Sequence, residues 1–384
     1  MPAYRRRRIL PGWSPRRFDV AVVCAWFLVT RAVAMCATHV GAALMSEQRR
    51  DEWRWIPDKT DAFPGQPPAA LLAPTVRWDA NYYITLARSG YPPPRDDAPI
   101  YHSAFFPLYP IAVGAVTRIL GDSFWAAFAL SNVCALLAGL VVLRLGAVNA
   151  RPRDGLRAAL LLLGSPGAHF FSYPYPEAMF VLLVSLGLLA VSLERPLLAV
   201  IPGALASATR SAGVVVSLAL LAIAWKARRD PRVAAVRLSA AVASLGGLAG
   251  FAVFCAAHFH DPLAFAHIQR PFGRSLTLAG PFVALVNFTV DPDYFVIALA
   301  SIAICIWMIR SSPGWLSLGA WFMLLLPMAT GTLKAMIRYQ AANVPLLTGA
   351  ARWSKGKRFR VLLFLAVVMM SFEAVLYGAG IGHY

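Results

Sequence analysis

Acidic residues are scarce in this chain. Eighteen Asp and Glu stand against 36 Lys and Arg in 384 residues. Charged side chains of both signs reach only 14%, against roughly 25% in a soluble domain, while hydrophobic types make up 59%. That shortage argues against disorder and against a soluble nucleotide-binding enzyme. Cysteine is also sparse. The five cysteines (Cys24, Cys36, Cys134, Cys255 and Cys305) all sit in apolar runs, and none forms a Cys-x-x-Cys pair. Neither a zinc site nor a disulfide framework is indicated. A short cleavable leader is lacking too. The first apolar run, residues 18–45, is too long for one and carries Arg31 and His39, so it reads as a permanent first span.

What is present is hydrophobic length. A spanning helix needs about 20 apolar residues. Runs at 18–45, 124–146, 156–172, 177–194, 235–257, 293–310, 315–331, 334–350 and 360–378 qualify. Two further stretches are ambiguous. Residues 104–120 open on Phe-Phe-Pro-Leu-Tyr-Pro, and residues 196–225 are interrupted at Thr209-Arg210-Ser211.

The net charge of +18 falls in clusters between these runs, at Arg5–Arg8 with Arg16 and Arg17, at Lys226–Arg237 and at Arg352–Arg360. This is the pattern of cytoplasmic loops, not of a nucleic-acid surface, and anionic headgroups are the natural partner. With residues 1–17 as a basic cytoplasmic N-terminus, residues 46–103 become an external loop. That loop holds eight of the eighteen acids.

If 104–120 is re-entrant and 196–225 is a helical hairpin with Arg210 at its outer tip, every basic loop stays inside, giving about eleven spans. The competing arrangement has 104–120 spanning and 196–225 as one helix, and it puts the basic 144–157 loop outside. The expectation is an all-α polytopic membrane protein. Residues 18–380 form one membrane domain with no separate soluble domain. The setting is multi-pass and, from the Arg-, Ala-, Gly- and Pro-rich composition, a bacterial inner membrane.

In the preferred arrangement the unusual polar residues collect on the outer face. Asp79 opens a short amphipathic pattern, Tyr82, Tyr83, Leu86 and Ala87, that closes at Gly90. Its position suits a helix N-cap. It equally suits a general base at the mouth of a membrane cavity.

The string Arg77-Trp78-Asp79-Ala80, Gly90-Tyr91 and Ala104-Phe105-Phe106-Pro107-Leu108-Tyr109-Pro110 resembles the GPI mannosyltransferase 2 (PIG-V-like) family of membrane-embedded GT-C glycosyltransferases. Tyr175-Pro176-Glu177, Thr209-Arg210-Ser211-Ala212-Gly213, Phe265–Gln269 and Arg338-Tyr339 extend the resemblance in order. Departures are Asn81, where the family often has His, and Pro176, where it has Ser. His102 stands in a stretch that often carries an acid.

The resemblance implies a GT-C-like bundle. It also implies inverting transfer of mannose, or another sugar, from a polyprenyl-phosphate donor to a glycan, glycolipid or protein acceptor. No metal or cofactor is required. Asp79 is the expected base, and Glu177 either a second carboxylate or a partner of Arg210. Donor-phosphate and substrate contacts are expected from Arg31, Trp78, Asn81, His102, Tyr173, Arg210, Gln269, Arg270, Lys334, Arg338 and Tyr339. For Arg31 the alternative is snorkelling to the interface. His258, His260 and His267 lack zinc spacing and read as loop residues near the substrate. A transporter or flippase is the competing class, but no internal repeat supports it.

Overall fold

The computed structural model describes residues 15–47, 68–94, 100–286 and 292–382, so the Arg5–Arg8 cluster and much of the 46–103 loop lie outside the described residues. All regular structure among the described residues is helical. The helices are α1 (Arg17–Ala43), α2 (Asp79–Ser89), α3 (Leu108–Leu120), α4 (Ser123–Asn149), α5 (Pro152–Gly164), α6 (Glu177–Ser192), α7 (Val200–Thr209), α8 (Val215–Lys226) and α9 (Pro231–Ala243). They continue as α10 (Gly246–Phe259), α11 (Ala264–His267), α12 (Gly280–Val286), α13 (Pro292–Ser311), α14 (Gly314–Met328), α15 (Met336–Ala341), α16 (Val344–Trp353) and α17 (Lys357–Gly378).

Among the described residues, five apolar helical stretches are long enough to cross a membrane: α1, α4, α9 with α10, α13 and α17. Their outward faces carry large exposed apolar side chains, among them Leu28, Val253, Ile306 and Phe364. Water would penalise such a surface, whereas lipid tails accommodate it.

Local chemistry explains the boundaries. Asp122 caps α4, its Oδ1 accepting from the backbone N–H of Phe124 at 2.7 Å and Trp125 at 2.9 Å. Pro152 opens α5, where its missing N–H costs no hydrogen bond. The chain reverses at Arg210, so a Cβ on Gly213 would lie 2.3 Å from the Ala206 carbonyl carbon and one on Gly203 would lie 3.0 Å from Val216. The expected hairpin with Arg210 at its tip is therefore the arrangement found in this stretch.

Three apolar runs are shorter or more broken than hydropathy suggests. The run at 334–350 is not one helix. It divides into α15 and α16 at Ala342 and Asn343, and the Asn343 side chain caps α16 through Leu346 N at 3.1 Å. The run at 156–172 stops being α-helical at Gly164, just before Pro166. In 104–120, α3 has only thirteen residues, a rise of about 20 Å against a core of about 30 Å.

Helices α1 and α17, separated by most of the chain, pack backbone to backbone. A Cβ on Gly41 would sit 2.0 Å from the Val375 carbonyl oxygen, and one on Gly378 would sit 2.0 Å from that of Thr38. No other residue permits that approach. The contact sets the register of α17, and with it the position of Tyr377 near the loop that leads into α2.

Candidate active site

The loop before α2 arrives in an unusual conformation. Trp78 has φ 47° and ψ −123°, a region costly for any side chain, at about 1–3 kcal/mol. The next residue, Asp79, is the first of α2, and its carboxylate makes no capping bond to the helix. The N-cap reading therefore does not hold. Instead Oδ2 of Asp79 accepts from Arg338 Nη1 at 2.7 Å, across 259 residues of sequence. Oδ1 has no protein hydrogen bond among the described residues.

Arg338 is buried on α15, which begins directly after Ala335 in left-handed conformation (φ 60°). Its Nε lies 3.3 Å from Glu177 Oε1, and the same oxygen also accepts from Arg210 Nη1. Glu177 is 1% exposed at the start of α6. The four side chains form one charged chain: Asp79, Arg338, Glu177, Arg210. Aromatic rings pave it. Arg338 lies over Phe170, Tyr175 and Tyr339, and Arg210 over Phe180 and Tyr339. Ring faces favour cations where water is scarce.

This chain borders a cavity of about 710 Å³. Of the expected site residues, Trp78, Asp79, Arg210, Gln269, Arg270, Lys334, Arg338 and Tyr339 line it. Five basic side chains (Arg210, Arg270, Arg274, Lys334 and Arg338) face one lining carboxylate, Asp79. Phe105, Phe106, Phe180 and Phe265 supply apolar wall. A small anion with an apolar or sugar substituent matches this lining, because the cations answer its charge and the rings its body.

Arg274 was not among the expected residues. It lies four places beyond Arg270 in the same basic loop, and that proximity was the available signal. Its Nη1 donates to Tyr339 Oη at 3.3 Å. Burial by itself would raise the Tyr339 phenol, but the guanidiniums of Arg274, Arg338 and Arg210 outweigh burial and bring it down to about 8.

The other expected residues lie off the cavity wall. Glu177 stands behind it and anchors two arginines. Arg31 neither snorkels nor reaches the lining. Its guanidinium donates to the Leu163 carbonyl at 2.7 Å and to that of Ala168, near the end of α5. There it satisfies carbonyls that the helix leaves open. Tyr173 is buried and bonded to Thr38. Asn81 does not line the cavity, and its Oδ1 is buried without a partner among the described residues. His102 packs edge-on to Tyr82, and burial lowers its pKa, which keeps it neutral at pH 7.

The three histidines expected in a loop sit at helix ends instead: His258 is in the last turn of α10 and bonds the Pro92 carbonyl at 3.0 Å, His260 ends that helix, and His267 closes α11, lines the cavity and pairs with Asp261 at 2.7 Å. Among the described residues no three His, Cys, Asp or Glu side chains converge as a metal site. One Asp-x-Asp tripeptide does occur, Asp291-Pro292-Asp293 at the start of α13, and Asp291 lies outside the described residues.

Comparison with known proteins places this geometry in context. Mouse GPI alpha-1,6-mannosyltransferase 2 is 30% identical over 158 residues, covering 38% of this chain and 30% of that protein. Among solved structures, the oligosaccharyltransferase of Archaeoglobus fulgidus in its apo form has 15% identity and a TM-score of 0.48. It covers 93% of this chain and 56% of that one. The archaeal oligosaccharyltransferase AglB from Archaeoglobus fulgidus, in complex with an inhibitory peptide and a dolichol-phosphate, gives 15% identity and a TM-score of 0.46, with 94% of this chain and 56% of that one covered. The chain thus spans about a third of the mouse protein and little over half of the archaeal one. A family model described as mannosyltransferase (PIG-V) matches residues 27–226, more than half of the chain and the part that contains Asp79, Glu177 and Arg210. By that match the chain belongs to the PIG-V mannosyltransferase family.

Proposed function

We propose that this protein is a membrane-embedded inverting glycosyltransferase. It transfers mannose from polyprenyl-phosphate mannose to an acceptor hydroxyl on the outer face of the membrane. One observation carries the reading: among the described residues a single carboxylate, bonded to a buried arginine, lines a cavity that also carries five cationic side chains and several aromatic rings.

The chemistry follows from that lining. The acceptor oxygen attacks the anomeric carbon, and its proton passes to Asp79 Oδ1. The new C–O bond forms as the bond from that carbon to the phosphate oxygen breaks. The electron pair leaves with polyprenyl phosphate. A positioned carboxylate contributes typically 10²–10⁴-fold, by order of magnitude, to such a proton transfer. Growing charge on the leaving phosphate is met by Arg210, Arg270, Arg274 and Lys334, in a site from which apolar walls exclude water. Arg338 joins the carboxylate to this cationic wall. Glu177, buried, hydrogen-bonded to Arg210 and ion-paired with Arg338, keeps both aimed and does not itself reach the acceptor.

The test is transfer of labelled mannose from polyprenyl-phosphate mannose in proteoliposomes, comparing wild type with Asp79→Asn. Loss of about 100-fold or more in a folded variant is the expected result. Unimpaired transfer by Asp79→Asn would refute the base assignment. Transfer from a different polyprenyl-phosphate sugar, with mannose inert, would keep the mechanism and change the donor.

A further inference from the structure

The base assignment leaves a question of support. Asp79 follows Trp78, whose backbone at φ 47° needs something to hold it. A strained residue persists only where its surroundings over-determine it. The peptide that sets φ at Trp78 is the one whose carbonyl belongs to Arg77, and two phenols converge on that carbonyl. Tyr175 Oη donates to it at 3.0 Å, and Tyr377 Oη lies 3.2 Å from it. Tyr377 also reaches the Thr75 carbonyl at 3.0 Å, so its one proton is shared between two carbonyls of the same turn.

Its ring packs against the Trp78 indole, with centroids 4.8 Å apart. From the other side, Arg77 Nη2 donates to the Gly378 carbonyl at 2.9 Å, beside Tyr377 on α17. Both tyrosines are fully buried. The end of α17 therefore grips the backbone of residues 75–78 through a hydroxyl, a ring and a carbonyl.

We infer that Tyr377, with Tyr175, is a positioning residue for Asp79: it fixes the Arg77–Trp78 peptide so that the carboxylate stands where the acceptor proton must go. It rests on the general-base reading above. Tyr377 lies outside the segment matched by the family model and some 300 residues from Asp79 in sequence. Its effect belongs to the transition state, because misplacing a base by a fraction of an ångström lowers the rate without changing how the donor docks.

Tyr377→Phe keeps the ring against Trp78 and removes only the hydroxyl. The expected result is a fall in kcat of about 10-fold with donor KM unchanged. A loss of folded enzyme would give the same split, so the deciding measurement is a double-mutant cycle. In the Asp79→Asn background, Tyr377→Phe should leave the residual rate unaltered, since there is no base left to position. Tyr175→Phe should behave alike and serves if Tyr377→Phe fails to fold. An equal fall in both backgrounds, or no fall in either, would overturn the positioning role while leaving the base intact. If Asp79→Asn itself retains the wild-type rate, the base reading fails and the positioning role falls with it.

Discussion

Tyr339 offers the most quantitative check on the cavity. Its phenol is brought down to about 8 because three guanidiniums outweigh the effect of burial. Two of those guanidiniums, on Arg274 and Arg210, are also among the cations that meet the donor's phosphate in the proposed reaction, while Arg338 holds Asp79. The proposed donor, polyprenyl-phosphate mannose, is a phosphodiester with a single negative charge throughout the neutral range, so it does not titrate in the assay.

The sign then follows. Below pH 8 the phenol is neutral and the cations are open to the donor. Above pH 8 the phenolate pairs with them and competes. One titrating group at 8 is roughly 9% ionised at pH 7 and roughly 91% at pH 9. If only the neutral form admits donor, KM should rise about 10-fold between those pH values, with kcat at saturating donor much less affected. By linkage, bound donor holds the phenol protonated. The assay is initial-rate transfer in proteoliposomes from pH 6.5 to 9, with wild type against Tyr339→Phe. The variant should give a flat KM profile. An equally steep rise in Tyr339→Phe, or a flat wild type, would refute the competition.

Two further outcomes follow from the charged chain and its surroundings. Glu177→Gln removes a buried carboxylate shared by two guanidiniums and should destabilise the protein by about 3 kcal/mol. Thermal unfolding in detergent reads this out, and an unchanged midpoint would mean the bridge contributes nothing. Arg31→Met leaves the carbonyls of Leu163 and Ala168 unsatisfied and should cost about 2–4 kcal/mol. Donor KM of the surviving enzyme should not move, and a raised KM would return Arg31 to donor binding.

Much of this architecture is readable from hydropathy, because lipid demands long uninterrupted apolar runs. The runs behind α1, α4, α13 and α17 show it. What hydropathy does not register is backbone conformation inside an apolar run. The run at 334–350 reads as one span, yet its helix starts only after a left-handed Ala335 and is divided at Ala342 and Asn343, and Arg338 sits on the short first piece, where it meets Asp79. Asp79 itself was legible as a polar residue opening a helix. Its partner was not, since 259 positions separate the two. The pairing of Glu177 with Arg210 is one of the alternatives the sequence offers, whereas a second guanidinium on the same carboxylate, Arg338, comes from 161 residues away and is set by packing alone. For Arg31 the sequence admits several partners, because a charge in a span can face a cavity, the interface or backbone, and packing places its guanidinium against the Leu163 and Ala168 carbonyls.

The glycine contact between α1 and α17 has a consequence for how the protein is made. The first helix enters the membrane long before its partner is synthesised, and more than 300 residues must be placed in between. Closing so long a loop is slow relative to local helix pairing. Until α17 docks, Tyr377 is missing from the turn before Asp79. A chain arrested before residue 357 would insert most of its helices and still lack the support behind its carboxylate. On the positioning role inferred for Tyr377, the full rate would then come only at the last step of assembly.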